Sequence, residues 1–285
     1  MATIDDLTFT LLSDGSGYSV KAKGTWISGV LDIPSSYNGF PVKIIEDSAF
    51  NACSRLTSVT IPTSVTSIED HAFYLCDKVA SLVIPDGVRS IGRGAFGAWS
   101  ALTSVMISAS VTSIHELAFI YCKSLNSVTV EGGNSVYHSD GNCCIETETN
   151  TLIFGCNNSV IPSGVTRICS YAFSERVGLT SITIPDSMKI IEDHAFNNCE
   201  GLIYFKFEGD AIPESDYILF GTQNLECVYV NAGTNGWGET WCGKPVVKLG
   251  SYIGNAVKYG ETPLIKINLG EIEIYSMFLG NDQLF

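Results

Sequence analysis

Positive charge is scarce in this chain. Its 285 residues carry 16 Lys and Arg against 30 Asp and Glu, a formal net charge of −14. Clustered cations are what grip a phosphate backbone, so nucleic acid is excluded as a partner and an anionic membrane surface is disfavoured. Charged residues of both signs make up only 16% of the chain, which leaves little for disordered linkers or long solvated helices. Long apolar runs are missing too. Nothing approaches the ~20 uninterrupted apolar residues of a spanning helix, so no membrane insertion is expected. The start, Met1-Ala2-Thr3-Ile4-Asp5-Asp6, has neither a basic n-region nor an apolar h-region, and no secretory signal is read there. Cysteine is plentiful at ten residues, yet no Cys-x-x-Cys occurs to suggest zinc.

What the chain does have is a repeat. Phe50, Phe73, Phe96, Phe119, Phe173 and Phe196, each preceded by Ala, follow one another at 23, 23, 23, 54 and 23 residues. Six, nine and eleven residues after each Phe stand apolar residues, as in Leu56, Val59 and Ile61. Eight and five residues before it stand pairs such as Val65 and Ile68. Leu56-Thr-Ser-Val-Thr-Ile61 alternates like a strand, and Pro62 ends it because proline cannot donate to a ladder. Val65 to Ile68 reads as a second short strand, and Glu69 to Cys76 as one or two turns of α or 3₁₀ helix. Seven apolar side chains do not offset the ordering of 23 residues, so one coil cannot stand alone. Stacking the coils lets ladders and neighbouring anchors make up the difference, which predicts a solenoid with capped ends.

The pattern Leu-Thr-Ser-Val-Thr-Ile-Pro-x-x-Val-Thr-Ser-Ile-x-x-x-Ala-Phe-x-x-Cys resembles the BspA-like class of leucine-rich repeat over about residues 29 to 230. The resemblance implies a repeat solenoid fold: right-handed, β-rich, with short helical turns and terminal caps. It implies membership of a class found mostly among surface-exposed adhesins and host-interaction proteins of bacteria, with some protozoan and phage members. It implies no catalytic residues and no cofactor, and none are assigned.

The repeat divides the chain. Residues 1–40 read as a cap hairpin and first strand, with Phe9 to Leu12 and Tyr18 to Ala22 flanking Asp14-Gly15-Ser16-Gly17. Residues 41–230 form the solenoid. The 54-residue gap exceeds one coil by 31, and residues 131–160 read as the insert, a hairpin centred on Asp140 to Phe154. Phe220, Leu225, Val228 and Val230 read as a degenerate last coil whose Leu comes five rather than six residues after the Phe. Residues 231–250, with Trp237 and Trp241, read as the closing cap: two aromatics that plug the core end or offer sugars a stacking platform. Residues 251–285 lose the phase and read as a small β-rich attachment tail. There Ile265, Ile267 and Leu269 are echoed ten residues on by Met277 and Leu279. This Leu-Gly tail resembles short C-terminal segments of tailed-phage structural proteins.

Candidate sites follow from these elements. The outward strand positions form a polar, nearly uncharged ladder: Ser58 and Thr60, Ser81 and Val83, Ser104 and Met106, Ser127 and Thr129, Ser181 and Thr183, Tyr204 and Lys206. Tyr137, His138, Glu146 and Glu148 mark the insert as a second candidate surface, and Ile265, Ile267, Leu269, Met277 and Leu279 mark the tail for assembly. Cys53, Cys76, Cys122 and Cys199 share the position three residues after the Phe, where Trp99 and Arg176 also occur, so they form a repeat position rather than a ligand set. Only Cys53 and Cys76 lie in adjacent coils, within reach of a disulfide, and buried free thiols are the favoured state. The histidines His71, His115, His138 and His194 fall in different coils and converge on no metal. Gly92-Arg93-Gly94-Ala95-Phe96-Gly97 matches a dinucleotide fingerprint in form only, because no long helix follows it.

These features predict a non-enzymatic recognition and assembly protein whose partners are a protein or glycan surface. Through the tail it joins other structural subunits, in a virion appendage or decoration concerned with host attachment, or a homo-oligomer. The alternative is a bacterial cell-surface adhesin. Virion surface and cell surface are the two locations that follow.

Overall fold

The computed structural model describes residues 2–210, 217–231 and 234–249, and the backbone of three tail strands. It is a β-solenoid of about nine turns with almost no helix. Parallel strands stack coil on coil along two sides. On the longer side, Ser81–Ile84, Ser104–Ile107 and Ser127–Val130 pair in register. Further on, Ser181–Ile184, Tyr204–Phe207, Val228–Asn231 and Lys244–Leu249 do the same. On the shorter side Phe40–Ile45, Ser67–Ile68, Ser90–Ile91 and Ser113–Ile114 form a ladder. Alternate strand residues turn inward, and Leu82, Ile84, Val105 and Ile107 are buried. At the N-terminus Leu7–Leu11 pairs antiparallel with Tyr18–Ala22, which pairs with Phe40–Ile45 and covers the first coil.

The predicted helical turn does not form. Residues two before and two after five of the six repeat Phe take a left-handed backbone, Ser48 and Ala52, His71 and Leu75, Gly94 and Ala98, Tyr171 and Glu175, His194 and Asn198, and at Phe119 only Tyr121 does. Alternation of handedness aims amide groups at the neighbouring coil instead of at the same turn. Phe50 N–H donates to the Ala72 carbonyl, Ala52 to Tyr74, His71 to Arg93, Phe73 to Ala95 and Leu75 to Gly97. The third side is therefore a coil-to-coil ladder as well. A left-handed conformation costs a non-glycine residue of the order of 1 kcal/mol, and these inter-coil bonds hold it in place.

Inside, the repeat phenylalanines stack as a column. Ring centroids lie 4.9 Å apart for Phe50 and Phe73, 5.6 Å for Phe73 and Phe96, and 5.4 Å for Phe96 and Phe119. The residue three positions on serves the column by pairing the Phe carbonyl of the preceding coil. Cys76 Sγ donates to Phe50 O at 3.3 Å, Trp99 Nε1 to Phe73 O at 2.6 Å, Cys122 Sγ to Phe96 O at 3.2 Å and Cys199 Sγ to Phe173 O at 2.9 Å. That shared donor role explains why thiols and an indole alternate at one position.

The insert is larger than one hairpin. Tyr137–Asp140, Cys143–Glu146 and Thr151–Phe154 form a three-stranded antiparallel meander, and the last of these joins Arg167–Ile168 in parallel. The meander builds an extra, abbreviated coil. Gly155 N–H donates to Ala172 O, the bond a repeat Phe makes elsewhere. Gly155 lies 36 residues after Phe119 and only 18 before Phe173, too few to include a long-side strand. The long-side sheet is accordingly broken between Ser127–Val130 and Ser181–Ile184. The interior divides at the same level: Cys144, Phe154 and Cys156 pack with the first core, Cys143, Ile145 and Leu152 with the second.

Arg176 closes this junction. It stands at the donor position of its coil and is only 1% exposed. Its Nε donates to Gly155 O at 2.9 Å, Nη1 to Cys122 O at 3.1 Å and Ser174 O at 3.0 Å, and Nη2 to Phe119 O at 3.2 Å. A thiol reaches only the adjacent coil, whereas the guanidinium reaches the inward carbonyls of two coils at once.

The last repeat is in phase after all. Its anchor is Leu219, 23 residues after Phe196 and six before Leu225. Leu219 is buried, whereas Phe220 beside it is 61% exposed. Trp237 and Trp241 are buried and pack on Phe207 with ring centroids 4.7 Å and 5.0 Å away, so they seal the core end and offer no stacking platform. In the tail, Ala256–Tyr259, Thr262–Leu269 and Ile272–Met277 form an antiparallel sheet. Ile265 pairs with Ser276, Ile267 with Ile274 and Leu269 with Ile272, while Leu279 lies outside the described residues.

Two substitutions test the junction. Arg176→Leu leaves four buried carbonyls without this donor and is expected to lower unfolding free energy by about 3 kcal/mol or more; Arg176→Lys, lacking the planar fork, recovers only part of it. Gly155→Ala places a Cβ 2.1 Å from Phe173 Cε1, and urea denaturation should show a loss of about 1–3 kcal/mol.

Candidate functional site

Three surfaces are brought together by these coils. The first is the outer face of the long-side strands. Ser81, Ser104 and Ser127 stand side by side in register, as do Val83, Met106 and Thr129. Val83 is 56% and Met106 43% exposed. Ser58 and Thr60 belong to a separate pair, Ser28–Asp32 with Arg55–Thr60. Ser181, Thr183, Tyr204 and Lys206 lie beyond the missing strand, where Tyr204 stacks on Tyr229 at 4.9 Å. The ladder expected from the sequence is thus three blocks, and the middle one is flat, uncharged and partly apolar.

The second surface is a groove of about 570 Å³ on the short side, opened by the insert and lined by Glu116, Glu146, Arg167, Cys169 and Lys189 among others. Of the insert candidates only Glu146 lines it. Tyr137 is buried, and its hydroxyl accepts the Ile114 N–H at the end of the short-side ladder, so it is a structural plug rather than a surface residue. His138 Nδ1 pairs with Thr147 Oγ1 at 3.0 Å, and Glu148 is exposed.

Sequence reasoning missed one cluster beside this groove, because its members are 53 and 23 residues apart: ligand atoms of Glu116, Cys169 and Glu192 lie within 4.8 Å of one another. Burial opposes ionisation of Glu192, but the Ser170 N–H and hydroxyl together with Arg167 outweigh it and hold its pKa below the ordinary value. Burial first, then the nearby Glu192 and Glu116 charges, pushes the Cys169 thiol up to about 12. A cation here would have to compete with Arg167 for Glu192 and displace a firmly held thiol proton. The histidines stay apart: His115 faces the groove, while His71 and His194 lie on the third side among aromatic rings.

The third surface is that third side, where Gly92 to Gly97 forms one coil of the left-handed ladder and no nucleotide loop. Beside Gly94 lies a cavity of about 460 Å³ lined by residues that include His71, Tyr74, Arg93, Gly94 and Leu117.

Taken together these coils define a repeat solenoid that displays side chains on three hydrogen-bonded faces. The chain belongs to the BspA type leucine rich repeat family, six copies of which match over residues 43–164 and 153–241. Among solved structures, a leucine-rich repeat protein from Eubacterium ventriosum ATCC 27560 is 20% identical over 79% of this chain and 76% of its own, with a TM-score of 0.49. A leucine rich cell surface protein from Faecalibacterium prausnitzii A2-165 is 22% identical over 82% and 89%, with a TM-score of 0.44. The leucine rich repeat protein of T. pallidum is 19% identical over 70% and 90%, at 0.45. No curated protein matches the chain. Among the described residues no helix is long and apolar enough to cross a membrane.

None of the ten cysteines forms a disulfide; eight are buried, and Cys227 and Cys242 are partly exposed. Burial pushes the Cys53 and Cys122 thiols up to about 11 and those of Cys143 and Cys199 to about 12. The fold therefore favours the protonated thiols. An unfolded thiol titrates near ~8.5, so above that pH the unfolded chain loses protons that the folded one keeps, and stability falls as pH rises toward 11 or 12. Thermal unfolding should give a constant Tm between pH 7 and 8 and a falling one from about pH 9. Alkylation by iodoacetamide at pH 8 should reach Cys227 and Cys242 in the native protein and the other eight only after unfolding.

Proposed function

We propose that the chain is a non-enzymatic recognition protein that acts at a cell surface and binds a protein partner through the middle block of its long-side face. The observation that carries this reading is the register of Ser81, Val83, Ser104, Met106, Ser127 and Thr129 on adjacent parallel strands, with Val83 and Met106 exposed. A flat, uncharged, partly apolar patch on a chain of net charge −14 is suited to burial against another surface. Its rigidity means that little ordering cost accompanies binding. Fluorescent full-length chain should bind candidate host cells. Protease treatment of those cells should abolish binding and periodate oxidation of their glycans should spare it; the opposite pattern identifies a glycan receptor. The Val83→Glu, Met106→Glu double variant should bind at least tenfold more weakly with an unchanged Tm, and full binding by that variant refutes the assignment.

A second reading, a virion appendage held in place by residues 251–285, is supported by the tail sheet. Its strands Ala256–Tyr259, Thr262–Leu269 and Ile272–Met277 pair with one another as a sheet of their own. Removing residues 251–285 should leave the solenoid transition unchanged and abolish incorporation into particles. Normal incorporation of the shortened chain would rule this reading out.

A further inference from the structure

The third side of the solenoid carries a ladder of side chains two residues before each repeat anchor, and its two ends differ. Toward the C-terminus the rungs are Tyr171, His194 and Tyr217, stacked nearly parallel with centroids 5.0 Å and 5.7 Å apart. Toward the N-terminus the corresponding rungs are Ser48, His71, Gly94 and Leu117. Gly94 removes one rung between His71 and Leu117, and Gly97 removes the side chain that would stand beside it. Tyr74 and Ile120 close over Gly97, where an added Cβ would lie 2.7 Å from one and 3.1 Å from the other. Over Gly94 the His71 ring leans in, its Cδ2 2.9 Å from where a Cβ would lie, and the cavity opens beyond that ring toward Leu117.

The chemistry of this slot is specific. Every backbone group of its floor, from Arg93 to Gly97, is already paired. Arg93 N–H donates to Asp70 Oδ1, and the amides of Gly94, Ala95, Phe96 and Gly97 donate to Leu117, Gly92, Ala118 and Gly94. Their carbonyls accept from His71, Gly97, Phe73, Cys122 Sγ and Leu75. A sugar ring entering the slot would find no free donor or acceptor in the floor for its hydroxyls, a poor exchange for hydration. A planar aromatic ring needs none, and the chain's own Tyr171, His194 and Tyr217 show that a ring fits the spacing of this ladder. At the rim, Arg93 is exposed and its guanidinium forms no ion pair among the described residues, Asp70 taking only its backbone N–H.

We infer that this slot receives one aromatic side chain of a protein partner, seated between His71 and Leu117 as the missing rung, with a neighbouring carboxylate of that partner paired to Arg93. The inference rests on the reading of the chain as a protein-binding solenoid and adds a second contact point on a different face. Its test needs no natural partner, so its failure leaves the long-side face to be judged by its own variants.

Amide resonances of the ¹⁵N-labelled full chain report binding. The probes are the blocked peptide acetyl-Gly-Trp-Asp-Gly-amide, its Leu counterpart in place of Trp, and methyl β-glucoside. The Trp peptide should shift the Gly94 and Gly97 resonances and bind at least tenfold more tightly than the Leu peptide. Gly94→Tyr supplies the rung from within. Residue 94 has φ +59, the value Tyr171 itself adopts, and only the flexible His71 ring needs to move aside, so this variant should fold. It should lose the Trp peptide at least tenfold. Leu117→Ala, which removes one wall, should weaken binding without touching the glycines. Equal binding of the Trp and Leu peptides, undiminished binding to Gly94→Tyr, or shifts at Gly94 and Gly97 with the glucoside alone would overturn the assignment.

Discussion

The carbonyl oxygens of the repeat phenylalanines turn toward the core, where water does not reach them, and the donors that meet them there tie each coil to the next. Phe50, Phe73 and Phe173 O each accept the backbone N–H three residues on in their own turn, and a side chain at the same position of the following turn adds a second donor. Cys76, Trp99, Cys122 and Cys199 each fill this role. A thiol is a weak donor, yet as the second partner of a buried carbonyl it adds a link from coil to coil that an apolar side chain would not. Three of the ten sulfurs, those of Cys76, Cys122 and Cys199, are thus buried caps spaced by the repeat and form no bridge. Pairing also fixes the distance between coils, and with it the Phe stacking and the register of all three ladders.

At the insert the same requirement meets a different geometry. The abbreviated coil around Gly155 interrupts the long-side sheet, divides the core and opens the groove beside Cys169. Arg176 holds the two halves together because one guanidinium satisfies carbonyls from Phe119, Cys122 and Gly155. A buried cation is expensive, and four carbonyl dipoles rather than a carboxylate compensate it here. Burial lowers its pKa from the ordinary value, yet an arginine remains charged throughout the working range.

Much of this was legible in the residues. The 23-residue phase places every inward strand side chain, because a two-residue period on β-branched segments leaves no choice of face. The third side was misread as helix for a physical reason. Its left-handed positions carry Ser48, His71, Leu75 and Tyr121 rather than glycine, so the usual signal is missing and only the inter-coil bonds reveal them. The last coil was misaligned because Leu219 and Phe220 are both large and apolar, and only burial tells the anchor from its exposed neighbour. Of the candidate sites, the strand positions were legible as a pattern, but their division into blocks depends on a missing strand that composition does not announce. Tyr137 reads as an exposed insert aromatic until its hydroxyl is seen capping Ile114. The Gly94 slot was invisible in a motif that looked like a failed nucleotide loop.

The reach of Arg176 bears on how such chains are counted. Spacing between Ala-Phe pairs implies that one oversized loop separates the fourth and fifth turns, whereas in space another winding lies there, unmarked by any of the usual letters. An arginine standing where a cysteine is due, just after an overlong gap, is the trace of that concealed winding, and the length of a solenoid is better measured by who reaches whom than by tallying its motifs.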